Sequence, residues 1–221
     1  TSRSQVSIID EVTKITAIPG FKGYITDVGG PTANMYNIEC RLKLKSGSCK
    51  KKRCVYPVVC DNLNVDHSAQ IDLLQKISRV PDIKKVFVAS GIRHDMVISD
   101  KKNGPAYIHQ LASSNVSGQL KLAPEHSEDK ILCLMGKPGM KSLKEFRSEF
   151  NKQNNLLDKK QFLTYYLIVA HPGCDMNDMI ALKDFLLKEL KHVPEQVQVF
   201  TPTPSTYSTL MYYTELDPFT G

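Results

Sequence analysis

Apolar residues recur along this chain in two alternating rhythms. Ile8, Val12 and Ile15 fall at helical spacing until Pro19-Gly20 ends the run, and the short β-branched stretch Gly23 to Val28 that follows predicts a strand. Ile71, Leu74 and Ile77 then share one helical face ahead of a strand from Lys85 to Ala89. A helical stretch about Tyr107 to Leu111 precedes a strand from Gln119 to Ala123. Ser127 is placed to cap a helix carrying Ile131, Leu134 and Met135, and Ser142 with Glu145 has the spacing of a capping box for Leu143, Phe146 and Phe150. A strand from Leu163 to Ala170, a helix capped by Asp175 with Met179, Leu182, Phe185 and Leu186, and a strand from Gln196 to Phe200 complete the pattern. Tyr165, Tyr166 and Cys133 lie in apolar runs and are expected in the core.

Strands separated by helices, with no short hairpin signal between them, predict an α/β fold of about five parallel strands, either a barrel or an open sheet. Each strand runs into a polar or Gly/Pro-rich segment: Gly29-Gly30-Pro31-Thr32, Ser90-Gly91-Ile92-Arg93, Pro124-Glu125-His126, His171-Pro172-Gly173 and Thr201-Pro202-Thr203-Pro204. In both architectures such strand ends form the functional rim. One domain over residues 1–221 is expected, with an insertion at residues 35–66 that has no clear period and interrupts the first βα connection.

Composition narrows the classes. The 221 residues are 41% hydrophobic and 24% charged, which describes a soluble globular chain and excludes a disordered tail or a collagen-like rod. The longest apolar run, Tyr165 to Ala170, falls far short of the roughly 20 residues that cross a bilayer, so a cytoplasmic protein without a membrane partner is expected. Of the 29 basic residues behind the net charge of +6, six lie between Lys43 and Arg53, favouring an anionic neighbour. The chain has no initiator Met and its polar opening leads straight into a helix, the expectation being a fragment.

Candidate chemistry gathers in two places. Cys40, Cys49, Cys54 and Cys60 fall within 21 positions and supply the four thiolates that zinc or an iron–sulfur cluster takes; without paired C-x2-C knuckles, free thiols and disulfides stay open. The second place is the rim. Gly29-Gly30-Pro31-Thr32 offers backbone groups to a polar ligand, or is a tight turn only. Glu125, His126 and His171 suit acid–base work or hydrogen bonding to a ligand, and Arg93 suits a carboxylate or phosphate.

At Asp27-Val-Gly-Gly-Pro-Thr-Ala-Asn-Met-Tyr36, Ser90-Gly-Ile-Arg93, Lys121-Leu-Ala-Pro-Glu-His126, Leu134-Met-Gly-Lys-Pro-Gly-Met140 and Ala170-His-Pro-Gly173, the chain resembles the YgiQ-type radical SAM proteins. Cys54-Val-Tyr-Pro57 and Asn62-Leu-Asn-Val-Asp-His67 in the insertion carry the same likeness. The resemblance implies an incomplete radical SAM (β/α)6 TIM-like barrel that binds S-adenosylmethionine against a [4Fe–4S] cluster fed by an electron donor. It further implies that Gly29, Gly30, Pro31 and Thr32 meet the methionine end, that Ser90, Arg93, Glu125 and His126 face cofactor or substrate, and that His171 and Pro172 lie near the adenine. An auxiliary iron–sulfur cluster or zinc at Cys40, Cys49, Cys54 and Cys60 is expected.

One departure qualifies this. The family's C-x3-C-x2-C cluster run does not occur in residues 1–221, and the helix from Gln5 to Ile18 matches the one that follows that loop. Gly221 also precedes the family's basic, Pro-rich tail. The expectation is therefore a radical SAM enzyme acting on an unknown substrate, RNA among the candidates, of which this chain alone is inactive. Two rivals stand beside it: a metal-stapled nucleic-acid-binding module using Lys43 to Arg53, and an inert barrel piece that self-associates through an open edge.

Overall fold

The structure is a computed structural model that describes residues 2–30, 32–47, 49, 53–189 and 197–221. Helix α1 (Gln5–Thr16), whose first turn is capped by Ser4, leads to β1 (Tyr24–Ile25). The insertion contributes β2 (Glu39–Cys40), α2 (Arg41–Ser46) and β3 (Leu63–Asn64), and is closed at its neck by the antiparallel pairing of Cys40 with Leu63. Next come α3 (Ser68–Ser78), β4 (Lys85–Val86), α4 (His94–Ser99) and α5 (Gly104–Gln110), which runs on as a π-turn through Leu111–Asn115. The last stretch holds β5 (Gln119–Glu125), α6 (Asp129–Met135), α7 (Met140–Leu156), β6 (Phe162–Val169), α8 (Met176–Glu189), β7 (Gln198–Val199) and α9 (Tyr207–Thr214).

The fold is mixed α/β with small parallel sheets. β1 pairs with β4, and β5, β6 and β7 form a second parallel sheet. A parallel bridge from Ile92 to Leu122 and a bond from Val88 N–H to Asn115 O (2.9 Å) join the two. Five parallel strands thus follow one another in chain order, and among the described residues no ladder returns from β7 to β1. Backbone bonds past the short ladders, Phe87 N–H to Ile25 O and Val28 N–H to Phe87 O, carry the pairing of β1 and β4 towards the rim.

Period-two alternation decides which strand face is covered. Leu120 and Leu122 of β5 and Leu163, Tyr165 and Leu167 of β6 are buried with the core that includes Phe146 and Phe150 of α7, Tyr107 of α5 and Leu182 of α8. The opposite face carries Lys121, Ala123, Glu125, Thr164 and Tyr166 and stays half-open. Tyr166 is therefore 44% exposed, with Lys121 Nζ 5.5 Å from its ring centroid, which corrects the expectation that both tyrosines are core. Cys133 is likewise exposed, because Ile131 and Leu132 take the inward face of α6.

Two caps also differ from expectation. Ser127 bonds Glu128 Oε1 and α6 starts after Glu128, while α7 starts at Met140, before Ser142, with its Met140 N–H donated to Asp129 Oδ1 (2.9 Å). A carboxylate from the preceding helix does the capping that a local box would otherwise do. Asp175 caps α8 as expected, accepting from Asn177 and Asp178 N–H at 2.7 and 3.0 Å. Among the described residues, no helix is long and apolar enough to cross a membrane.

Candidate functional site

The rim begins where β1 and β4 end. Asp27 Oδ1 accepts from Ala89 N–H (2.8 Å) and Ser90 N–H (3.1 Å), and Asp27 Oδ2 takes the Ser90 hydroxyl. Gly29 lies against that same serine. A Cβ there would stand 3.0 Å from Ser90 Cβ and Oγ, so a larger residue would have to push the serine side chain back by a few tenths of an ångström. A Cβ at Gly30 would meet nothing within 4 Å, leaving its backbone open to a ligand; Thr32 is half-buried, and Pro31 lies outside the described residues.

Behind this edge a fully buried polar chain fixes both ends of the insertion. Asn34 Oδ1 accepts from Arg93 N–H (2.8 Å), and its Nδ2 donates to Arg93 O (3.0 Å) and to His67 Nε2 (3.2 Å). That assigns the hydrogen of His67 to Nδ1, which donates to Asp100 Oδ2 at 2.8 Å, and the ring stacks on Tyr107 with centroids 4.7 Å apart. Burial pushes His67 below the ordinary histidine range, against the pull of Asp100. Burial alone would raise Asp100, but hydrogen bonds from Asn103, the His67 backbone and the His67 ring together hold its carboxyl low. Asn34, His67 and Asp100 are residues that pattern reading missed; their one signal was that Asn34 and His67 fall inside the resembling motifs.

Arg93 does not reach into the mouth as a free cation. Its Nε and Nη2 close a fork on Asp95 Oδ1 and Oδ2 at 3.1 and 2.5 Å. The next residue, His94, is buried with Nδ1 unpartnered, and burial lowers its pKa to about 4, so it is neutral at pH 7. Lys137, which lies close enough to depress His94 further, pairs with Glu125 Oε1 at 2.9 Å.

Glu125 itself ends β5 at φ 72, and Ala170, the residue after β6, has φ 55. A left-handed conformation at adjacent strand ends turns the chain sharply at the rim and stores strain there. His126, also buried, accepts from Glu128 N–H at Nδ1 (3.1 Å), which leaves the hydrogen on Nε2, facing Cys174 Sγ at 3.8 Å. His171 donates from Nδ1 to Pro172 O (2.9 Å), so Nε2 accepts from Ser208 Oγ (2.8 Å), and Phe200 packs edge-on at 5.2 Å. Burial lowers the pKa of both histidines and raises that of Cys174. A cavity of about 280 Å³ opens between Glu125, Lys137, His171, Phe200, Thr201 and Ser208.

The structure thus brings Gly29 to Ser90, and Glu125 to His171, while His126 turns to Cys174 and Arg93 to Asp95. The cavity is lined by the hydroxyls of Thr201 and Ser208 and by the Glu125–Lys137 ion pair, and Phe200 gives it an aromatic wall. Among the described residues, no three or more His, Cys, Asp or Glu are grouped closely enough to hold a metal ion. Cys40, Cys49, Cys54 and Cys60 are free thiols, yet three of them share the insertion neck. Cys40 pairs with Leu63, Leu63 N–H bonds Cys60 O (2.8 Å) and Cys60 N–H bonds Cys54 O (2.9 Å).

The fold and rim define a mixed α/β chain whose parallel strands end on a shared polar edge. Over 220 residues, all of its length, the chain is 59% identical to the UPF0313 protein of Fusobacterium nucleatum subsp. nucleatum. It is 48% identical to the UPF0313 protein of Clostridium perfringens SM101 and 46% identical to that of Methanocella arvoryzae, again over 220 residues. The chain thus resembles UPF0313 proteins along its length and spans 39%, 33% and 36% of the length of these three. No family model and no solved structure matches it.

Proposed function

We propose that this chain is the S-adenosylmethionine-binding core of a radical SAM enzyme, built as part of a (β/α)6 barrel. The observation that carries the reading is the order of the five parallel strands. A doubly wound sheet reverses its strand order at a switch point, whereas a barrel keeps chain order, and this chain keeps it through all five. The half-open strand face with Lys121, Glu125 and Tyr166 then corresponds to a barrel interior. The likeness to YgiQ-type proteins at each strand end supports the same conclusion.

In this reading S-adenosylmethionine, once bound, supplies the radical-initiating chemistry. The chain's own residues bind and orient it. Gly30 presents open backbone to the methionine end, and Asp27 and Ser90 hold that edge rigid. Glu125, fixed by Lys137, accepts hydroxyl hydrogens, while His171, fixed by Pro172 O and Ser208, holds the far wall with Phe200. The chain contains no C-x3-C-x2-C run.

The test uses an intact UPF0313 protein, purified without oxygen and given S-adenosylmethionine and dithionite. Release of 5′-deoxyadenosine, at least tenfold lower in a Glu125→Gln variant, is expected, with none from the 221-residue chain alone. No release from the intact protein would sink the assignment, and release from the chain alone would refute its inactivity.

A further inference from the structure

Residues 53–62 of the insertion have open space on both sides. On one side lies a cavity of about 710 Å³ lined by Arg53, Tyr56, Cys60, Cys133, Asp217 and Phe219. On the other lies a hollow of about 730 Å³ lined by Val59, Ile98, Lys101, Pro138 and Glu145, and residues 57–61 border both. Val58, between them, is 74% exposed. A segment with space on both faces is not positioned by packing, so its place depends on a few discrete contacts.

Two such contacts stand out. The Arg53 guanidinium carbon lies 4.0 Å from the Phe219 ring centroid, 4.8 Å from Tyr207 and 5.1 Å from Tyr56, inside a cluster in which Tyr207 and Phe219 are themselves 4.7 Å apart. Gly136, at the end of α6, makes room for it: a Cβ there would stand 2.3 Å from Arg53 Nη1. Nearby, Tyr56 Oη and Cys133 Sγ are 2.8 Å apart. Arg53 thus ties the insertion to a C-terminal segment held otherwise by few contacts, chiefly buried Met211 and the Ser208–His171 bond, while Leu210, Tyr212 and Tyr213 are exposed.

We propose that residues 53–62 form a strap latched by Arg53 onto Tyr207 and Phe219, and that the strap and the C-terminal segment open together to admit ligands to the cavity beneath. A planar cation held among aromatic rings is strong enough to keep the latch closed most of the time and weak enough to open without unfolding the core. Opening exposes Cys60 and the cavity wall.

Hydrogen exchange followed by mass spectrometry on the whole chain tests this. Arg53→Ala and Phe219→Ala should each speed exchange about tenfold in both 54–62 and 207–214, with no further gain in the double variant. Alkylation of Cys60 should quicken in parallel, and β5 and α7 should stay protected. Tyr56→Phe, which removes one hydroxyl, should loosen 54–62 alone. Acceleration by Arg53→Ala or Phe219→Ala confined to the segment bearing the substitution, additive effects in the double variant, or loss of protection in β5 would each overturn the latch.

Discussion

The Asn34 carboxamide and the Arg93 peptide unit hold one another through two hydrogen bonds, 2.8 Å from Arg93 N–H to Oδ1 and 3.0 Å from Nδ2 to Arg93 O. Asn34 directly precedes the insertion and Arg93 stands at the N-terminus of α4, so this pair fixes the largest excursion of the chain to the rim. Its remaining amide hydrogen goes to His67, at the insertion's far end. Asn34→Ala should lower stability by about 2 kcal/mol, because it strands buried polar groups of Arg93 and His67 rather than merely deleting bonds. Urea unfolding measures this; a change below about 0.5 kcal/mol would mean that water replaces the side chain.

Acid should destabilise the fold well above the carboxylate range. His94 has its pKa lowered to about 4, and burial lowers His67, His126 and His171 as well. A depressed folded value means that the unfolded chain binds more protons below its own pKa of about 6.5, so this stability is whole above pH 6.5 and is lost as pH falls towards 4. From pH 7 to pH 5, His94 alone should remove about 2 kcal/mol. His94→Gln should flatten the pH slope of the urea midpoint over that window, and an unchanged slope would contradict the assignment.

Strain at the rim should be relievable without touching the cavity. Ala170 adopts φ 55 just after β6, where an L side chain is disfavoured by about 1 kcal/mol. Ala170→Gly should therefore raise the thermal midpoint despite the entropy that glycine adds to the unfolded chain. A lower midpoint would show that Ala170 is unstrained.

The insertion thiols should act as a set if they take a metal. Zinc added to the reduced chain should protect Cys40, Cys49, Cys54 and Cys60 from alkylation together, while the exposed Cys133 keeps reacting. Cys54→Ala should abolish the protection of the other three. Equal labelling of all the cysteines with and without zinc would leave the insertion as a metal-free arm.

The sequence by itself determined the succession of strands and helices and the positions of the strand-end motifs. Apolar period reports burial, and Gly, Pro and Asp mark where backbone must turn; Asp175 as the cap of α8 and a strand starting at Gln119 are read correctly for that reason. Only tertiary structure decided which partner each polar group found. Arg93 was free to meet a ligand as far as sequence shows, yet its fork closes on Asp95. Asp129 caps α7 from the preceding helix, and His67 meets Asp100 across 33 residues. Tyr165 and Tyr166 are alike in composition and opposite in burial, because one strand face is covered by helices and the other is half-open. Local pattern encodes what a residue does to its own backbone; the pairing of buried polar groups depends on which distant segments the fold brings within about 3 Å, and no local period records that.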